Sequence, residues 1–425
     1  MHALRRLWRD AAGGLPATFW YLWAGLLINR AGAFAMLFLS LYLTDARGAS
    51  ESLAGTVVGA YGAGGAAGVL LGGVLADRWG RRSTLLAAHL ATTALMVALA
   101  FSRPLLLIAV LSALVGVVHS MPSPAFVAAI VDVVPAQRRS RAFNLQFWAF
   151  NLGMAVASLL AGVLAEASFT ALFLVDAGAT LTAAVVIAWK VPETLRRAAP
   201  SVDLRPPATA ARRPGLRTAL TDRTFLVFVG LTFVLAVLTM QTSTIMPLAM
   251  RADGLGPSAY GLVVALGGAL IVLGQLFVPR LIDRHRKDVV LAVSTALLAV
   301  GFGVLAVADV LGVYLAAAVV WTVGSMLAAP PNAQINADLA PPQLRARYQS
   351  VFYLTFPAAA FVAPTLGGVS LQHLGDGHWL IVGGLGLLAA LGHLLAGPPR
   401  ERHVAALRRA AGREPAPAVD HAPAG

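Results

Sequence analysis

The chain reads as an all-α membrane protein: twelve spanning helices in two six-helix bundles related by a pseudo-twofold axis. Three observations predict this. The 425 residues are 58% hydrophobic and only 12% charged, whereas a soluble domain carries about 25% charged residues. So much apolar surface needs lipid as its solvent. Apolar runs of about 20 residues, the length that crosses a bilayer, recur twelve times. Finally, a charged turn between two apolar runs, Gly73-Val74-Leu75-Ala76-Asp77-Arg78-Trp79-Gly80-Arg81-Arg82, returns in weaker form 206 residues later as Leu281-Ile282-Asp283-Arg284-His285-Arg286-Lys287. Duplication of such a hairpin in an apolar chain points to a transporter scaffold.

The first six spans are 17–43, 52–76, 83–101, 104–131, 142–165 and 168–189. The next six are 223–248, 258–281, 288–307, 311–337, 347–370 and 377–397. The first apolar run, Thr18 to Leu43, is too long for a signal-peptide core and has no small-residue cleavage site, so it reads as a retained span. Residues 190–222 hold Pro192, Pro200, Pro206, Pro207 and Pro214 with several Arg and no apolar period. They divide an N-terminal bundle, 1–189, from a C-terminal one, 223–399. The tail 400–425 is rich in Ala, Pro and Arg and reads as frayed, although Val404 to Arg409 could form a short surface helix.

The net charge of +13 does not indicate nucleic acid, because of where it sits. With the N-terminus inside, 28 of the 32 Lys and Arg fall in the inside loops, linker and tail, and only Arg47, Arg103 and Arg251 lie outside. That asymmetry sets orientation and offers a contact surface for anionic lipid. Both termini are expected in the cytoplasm. The excess of Arg over Lys and the Ala/Gly richness suggest a GC-rich bacterium, hence the inner membrane, and the chain is expected to act as a monomer. No cysteine is present, which excludes disulfides and thiolate chemistry. Neither a phosphate-binding G-x-x-x-x-G-K-[ST] loop nor H-E-x-x-H occurs. No enzyme activity, cofactor or metal is expected.

The repeat stays in register beyond the turn. Pro124 matches Pro330, and Asp132, Pro135, Gln137, Arg139 and Arg141 match Asp338, Pro341, Gln343, Arg345 and Arg347 at the same offset. At these residues the chain resembles the major facilitator superfamily, and within it the twelve-helix drug:proton antiporter branch. The family turn G-x-L-a-D-R-x-G-R-R is represented by Gly73, with Gly72 at the usual place, and by Leu75, Asp77, Arg78, Gly80, Arg81 and Arg82. Asp132-x-x-Pro135-x-x-x-Arg139-x-Arg141 resembles the signature between the fourth and fifth helices. The antiporter signature of the fifth helix is reduced to Gly153-x-x-x-Ala157-Ser158-x-x-Ala161-Gly162.

The resemblance implies a conformational latch. Asp77 and Arg81 would engage Asp132 and the start of the eleventh helix when the cytoplasmic side is closed, and Asp283, Arg284 and Asp338 are the counterparts in the second half. The plainer reading is a topology anchor.

Arg30 lies within the first span, where a charge costs about 2.5–3.5 kcal/mol on insertion scales, so it should face a cavity or a partner. Asp176 in the sixth span could neutralise it. Unpaired, Arg30 would hold an anionic group or tune a proton carrier. Asn29 shares the site only if the helix tilts or breaks there. His119 sits beside Pro122 and Pro124 and either carries a proton, its unperturbed pKa being about 6.5, or donates to a carbonyl freed by the prolines. Asp176, His119 and Arg30 are therefore the proton-coupling candidates. His89 is set aside, because the third helix lies outside the cavity in the family. The second half offers Gln241, Trp321, Asn332, Tyr353 and Phe356 as cavity residues, which favours an amphipathic, mostly apolar substrate. Gly55, Gly59, Gly64, Gly68 and Gly72 form a small-residue stripe for sliding or static packing against Pro364, Gly367 and Gly368.

The expected function is secondary active transport by alternating access, with proton-coupled export of a small amphipathic compound or drug. Uptake or exchange of an organic anion or peptide is the alternative. A receptor or lipid-handling protein is the alternative of another class.

Overall fold

A computed structural model describes residues 14–32, 35–195, 216–274, 277–282, 285–341 and 344–411. Among the described residues the regular structure is all helix. The N-terminal half holds α1 (Ala17–Gly32), α2 (Glu51–Arg78), α3 (Arg81–Phe101), α4 (Leu105–Val133), α5 (Arg139–Ala167) and α6 (Phe169–Lys190). The C-terminal half holds α7 (Arg223–Thr244), α8 (Pro257–Gly274), α9 (Lys287–Gly303), α10 (Leu311–Leu339), α11 (Thr355–Leu374) and α12 (Gly377–Leu395), and α13 (Gly397–Ala411) follows. Among the described residues eleven helices, α2 to α12, are long and apolar enough to cross a membrane. The expected first span of 17–43 is divided: α1 has 16 residues, and the chain turns at Ala35–Phe38 before the helical stretch Leu39–Ala46.

Two seams join the halves, α2 against α11 and α5 against α8. The end of the molecule that carries the α2–α3 turn is called the basic end here. Both seams are tightest at the other, far end, where glycines let backbones touch. A Cβ on Gly55 would lie 2.2 Å from the Pro364 carbonyl oxygen, and one on Gly62 would lie 2.4 Å from that of Ala360. Gly261 is equally tight against Ser158, at 2.3 Å. Three polar contacts add to the seams at this end. Arg251 pairs with Asp45, the Ser52 N–H donates to Gln372 Oε1 at 3.1 Å, and the Ser258 N–H donates to Glu166 Oε1 at 3.2 Å.

The glycine stripe of α2 serves two neighbours rather than one. Gly55, Gly59 and Gly62 face α11. Gly64, Gly68 and Gly72 instead meet the carbonyls of Ala113, Val117 and Met121 in α4, inside the same half. A Cβ on Gly73 would have nothing within 4 Å, so Gly72 is the residue that close packing requires. Helical periodicity explains the split: positions four apart share a face, and the stripe drifts around α2 along its length.

Residues 400–411, expected as frayed tail, continue as α13. Arg400 is 4% exposed, with its guanidinium 5.9 Å from the Phe228 ring centre. Most of the linker, 196–215, lies outside the described residues, as do Asp283, Arg284 and the chain after residue 411.

Candidate functional site

Three cavities bear on the site. A central one of about 200 Å³ takes Arg30, Tyr61 and His119 from the first half and Met240, Ser243 and Thr244 from the second. An N-terminal one of about 100 Å³ lies between Asn29, Arg30, His89, His119 and Phe150. A C-terminal one of about 310 Å³ is lined by Thr232, Asn332, Phe352, Tyr353 and Phe356.

Arg30 and His119 belong to two of these cavities. The Arg30 guanidinium lies over the Phe150 ring, 4.5 Å from its centre. Its Nε is buried without a hydrogen-bond partner. Asp176 is expected as a partner for Arg30, and its carboxylate also reaches the break in α1. It accepts the Ala35 N–H at 3.1 Å and the Thr180 hydroxyl at 3.4 Å. Asn29 Nδ2 donates to that hydroxyl at 3.1 Å. Asp176 is thus a brace for an interrupted helix, whose freed backbone groups need partners in an apolar setting. It lines neither cavity that holds Arg30. Asn29 and Arg30, adjacent in sequence, do share the N-terminal cavity.

His119 Nδ1 is 2.9 Å from the Tyr61 hydroxyl, so its partner is a side chain on α2 rather than a carbonyl freed by the prolines. The sequence gives no hint of Tyr61, because one Tyr in a Gly-rich helix shows no face of its own. His89, set aside on the family pattern, lines the N-terminal cavity. Its Nδ1 donates to the Leu85 carbonyl at 2.7 Å, which leaves Nε2 as an acceptor. Phe150 lines the same cavity and is the repeat partner of Phe356, a signal that the sequence does contain.

In the second half, Asn332, Tyr353 and Phe356 meet in one cavity, and Tyr353 is 61% exposed. Thr232 Oγ1 donates to Asn332 Oδ1 at 3.0 Å, which leaves the Asn332 amide nitrogen as a donor. Two other expected cavity residues are elsewhere. Trp321 is 4% exposed and stacks on Phe302 at 4.9 Å, which in turn stacks on Trp379 at 6.1 Å. This column ties α9, α10 and α12 together. Gln241 is 3% exposed, with Oε1 3.3 Å from His378 Nε2, and it ties α7 to α12.

At the basic end the turn residues do assemble. Arg81 Nε is 3.0 Å from Asp132 Oδ2, and Arg81 Nη1 is 3.4 Å from Asp77 Oδ1 and donates to the Ala76 carbonyl at 2.9 Å. In the second half Lys287 Nζ is 2.8 Å from Asp338 Oδ2, the repeat equivalent of the Arg81–Asp132 pair. Arg139 Nη2 donates to the Val131 carbonyl at 2.9 Å, closing the end of α4. Arg82 Nη2 donates to the Ala188 carbonyl at 2.6 Å, closing the end of α6. Arg78 lies exposed beside them. Among the described residues neither Asp77 nor Asp132 is bonded to the segment that leads into α11.

One group here has no counterpart in the sequence motifs. Glu193 accepts the N–H groups of Arg81, at 2.8 Å, and of Arg82 and Ser83, both at 3.4 Å. It caps the N-terminus of α3 from beyond the end of α6. Gly80, at φ +109°, leaves no room for a side chain, since a Cβ there would be 2.3 Å from the Glu193 carboxylate. Partial burial pushes the Glu193 carboxyl up, but the N–H bonds from Leu195, Arg81, Ser83 and Arg82 outweigh it and hold the pKa below the ordinary carboxylate range.

The sequence profile of the Major Facilitator Superfamily matches residues 22–256 and 231–422. A Bacillus subtilis (strain 168) protein named uncharacterized MFS-type transporter YttB is 28% identical over 368 residues, which is 85% of this chain and 90% of that one. The multidrug resistance protein MdtH of Aeromonas salmonicida (strain A449) is 24% identical over 393 residues, 88% of this chain and 93% of its own. Among solved structures, a POT family transporter in complex with a thioalcohol conjugated peptide superposes with a TM-score of 0.78 at 15% identity, over 92% of this chain and 98% of the other. At that identity the likeness concerns the fold.

Proposed function

The chain belongs to the Major Facilitator Superfamily as a multi-pass membrane transporter of small molecules, not an enzyme, and on that premise we propose that it exports a small amphipathic compound against proton influx by alternating access. It works in the bacterial inner membrane with its basic end in the cytoplasm, the side that the Lys and Arg asymmetry favours. The far end is then periplasmic. The sealed seams there, together with the absence, among the described residues, of a bond from Asp77 or Asp132 to the segment leading into α11, support an inward-facing state.

One observation carries the reading: the central cavity is built from both halves and places Arg30, Tyr61 and His119 opposite Met240, Ser243 and Thr244. A cavity that both halves line is remade whenever they rock. His119 is the proton carrier, because Asp176 is committed to the α1 break. Arg30 repels cationic amphiphiles, so the substrate is neutral or acidic. MdtH, a relative named for multidrug resistance, supports export.

The test is flux from proteoliposomes under an imposed pH gradient. Wild-type efflux should rise with the inward proton gradient, and His119→Gln should bind substrate but lose that dependence. A flat pH dependence of the wild type removes proton coupling. A second reading, uptake or exchange of an organic anion, is favoured by the Arg30 guanidinium, whose Nε has no hydrogen-bond partner among the described residues. In that case counterflow without a gradient should be fast, and Arg30→Ala should abolish binding.

A further inference from the structure

The N-terminal and C-terminal cavities are copies of one another. Arg30, His119, Pro122 and Phe126 line the first. Ala236, Ser325, Ala328 and Asn332, each 206 residues later, line the second. Gln146 and Phe150 correspond in the same way to Phe352 and Phe356. The central cavity lies on the axis between them, because both members of two repeat pairs, Leu37 with Ser243 and Met154 with Ala360, line it together.

The copies have diverged in chemistry. Replacing Arg, His, Pro and Phe by Ala, Ser, Ala and Asn removes side-chain volume and charge, and the C-terminal cavity is accordingly about 310 Å³ against about 100 Å³ for its twin. One is cationic and tight. The other is uncharged, roomy and walled by three aromatic rings.

We propose that the two cavities are unequal half-sites of one substrate site, which takes a molecule with an acidic group at one end and an apolar, ring-sized body at the other. The acid meets Arg30, whose buried Nε has no hydrogen-bond partner among the described residues. The body lies against Phe352, Tyr353 and Phe356, with the Asn332 amide nitrogen as a polar contact. Arg fits this task, since its planar fork matches a carboxylate, and desolvation within the cavity strengthens the contact. The inference rests on the transport reading only in taking the central cavity as the meeting place of substrate and protein.

The test measures binding without any gradient, by calorimetry on the full chain in lipid nanodiscs, with 2-naphthylacetate, its uncharged amide and acetate as probes. Naphthylacetate should bind tighter than either the amide or acetate by about ten-fold or more, the gain expected from one charged hydrogen bond. Arg30→Gln should bring the acid to the level of the amide and leave the amide unchanged. Tyr353→Ala should weaken acid and amide alike, by roughly three- to ten-fold, as loss of a ring contact does. Ala236→Leu, which fills the C-terminal cavity, should weaken both naphthyl compounds and spare acetate. Variants are compared only where their melting transitions match the wild type, and the two C-terminal changes act independently of each other. An acid-to-amide ratio that survives Arg30→Gln, naphthyl binding indifferent to both C-terminal changes, or no preference among the probes in the wild type would overturn the proposal. If the pattern holds but no proton-driven flux is found, the half-sites stand and proton coupling falls.

Discussion

Asp45 and Arg251 are equivalent positions of the repeat, 206 residues apart, and they pair with each other across the far end of the molecule. Each half thus closes on its own counterpart. The pair sits on the pseudo-twofold axis, where rocking of the halves would separate it most directly, and it is partly exposed. An exposed pair is worth about 0–1 kcal/mol, which suits a gate that must open in every cycle.

Charge exchange tests that gate. Asp45→Arg sets two guanidiniums face to face and should shift the population toward far-end opening by up to about five-fold, the equivalent of about 1 kcal/mol. Asp45→Arg with Arg251→Asp should restore the wild-type balance. The chain has no native cysteine, so a single Cys in place of Ser243, which lines the central cavity, would report far-side accessibility against a silent background. Equal labelling of the wild type, single and double variants would remove the gate.

The far-end seam makes a steric prediction. Gly55→Val drives a side chain into the Pro364 carbonyl, whereas Gly73→Ala enters open space. Overpacking of this kind costs about 1–3 kcal/mol. Because the cost applies only to the closed seam, Gly55→Val should hold the protein open at the far end and cut transport while the helical content is kept. Gly73→Ala should transport as the wild type does. Transport by Gly55→Val at the wild-type rate would show that this seam never tightens.

What could be read from the sequence follows from range. The α2–α3 turn is local: an acid, a Gly and three Arg within six residues declare a charged hairpin. The contact of Arg81 with Asp132 comes from the family resemblance, and its second-half equivalent uses Lys287, a residue outside the expected set of Asp283, Arg284 and Asp338. Faces of helices are another matter. α10 has no separate apolar and polar faces, so nothing in its spacing separates Trp321, stacked inside the bundle, from Asn332, which faces a cavity. Asp176 and Arg30 look like natural partners as charges in lipid, but the interrupted backbone at the end of α1 competes for the carboxylate, and a helix break is hard to see in a run that stays apolar. Glu193 is hidden in a Pro- and Arg-rich stretch that reads as linker. The copy relation between the two cavities is legible in the sequence: Phe356 is a cavity candidate, and the 206-residue offset leads from it to Phe150.

The two equivalent latches should not weigh the same. Arg81 holds two carboxylates and a helix-end carbonyl, whereas Lys287 reaches Asp338 alone among the described residues. Arg81→Ala should therefore destabilise the purified protein by about 1–2 kcal/mol, in the range of lost charged hydrogen bonds, and Lys287→Ala by less than about 1 kcal/mol. Thermal melts in one detergent compare them. Equal losses would mean that the bonds to Asp77 and the Ala76 carbonyl contribute nothing.

Glu193 makes stability depend on pH in a stated direction. Its folded pKa lies below the ordinary carboxylate value, so the unfolded chain takes up the proton first as pH falls. The stabilisation is complete above the unfolded pKa of about 4.3 and is lost as pH drops through the lower folded value. Glu193→Gln removes the charge at the head of α3 and should cost about 0.5–1 kcal/mol at pH 7, the low end for a capping group because water screens it. As pH falls through that lower folded value the wild type and Glu193→Gln should converge. Melting curves of both proteins from pH 7 to pH 3 decide it: a gap that stays constant across that range would assign the loss to packing, and the cap would then owe nothing to the carboxylate's charge.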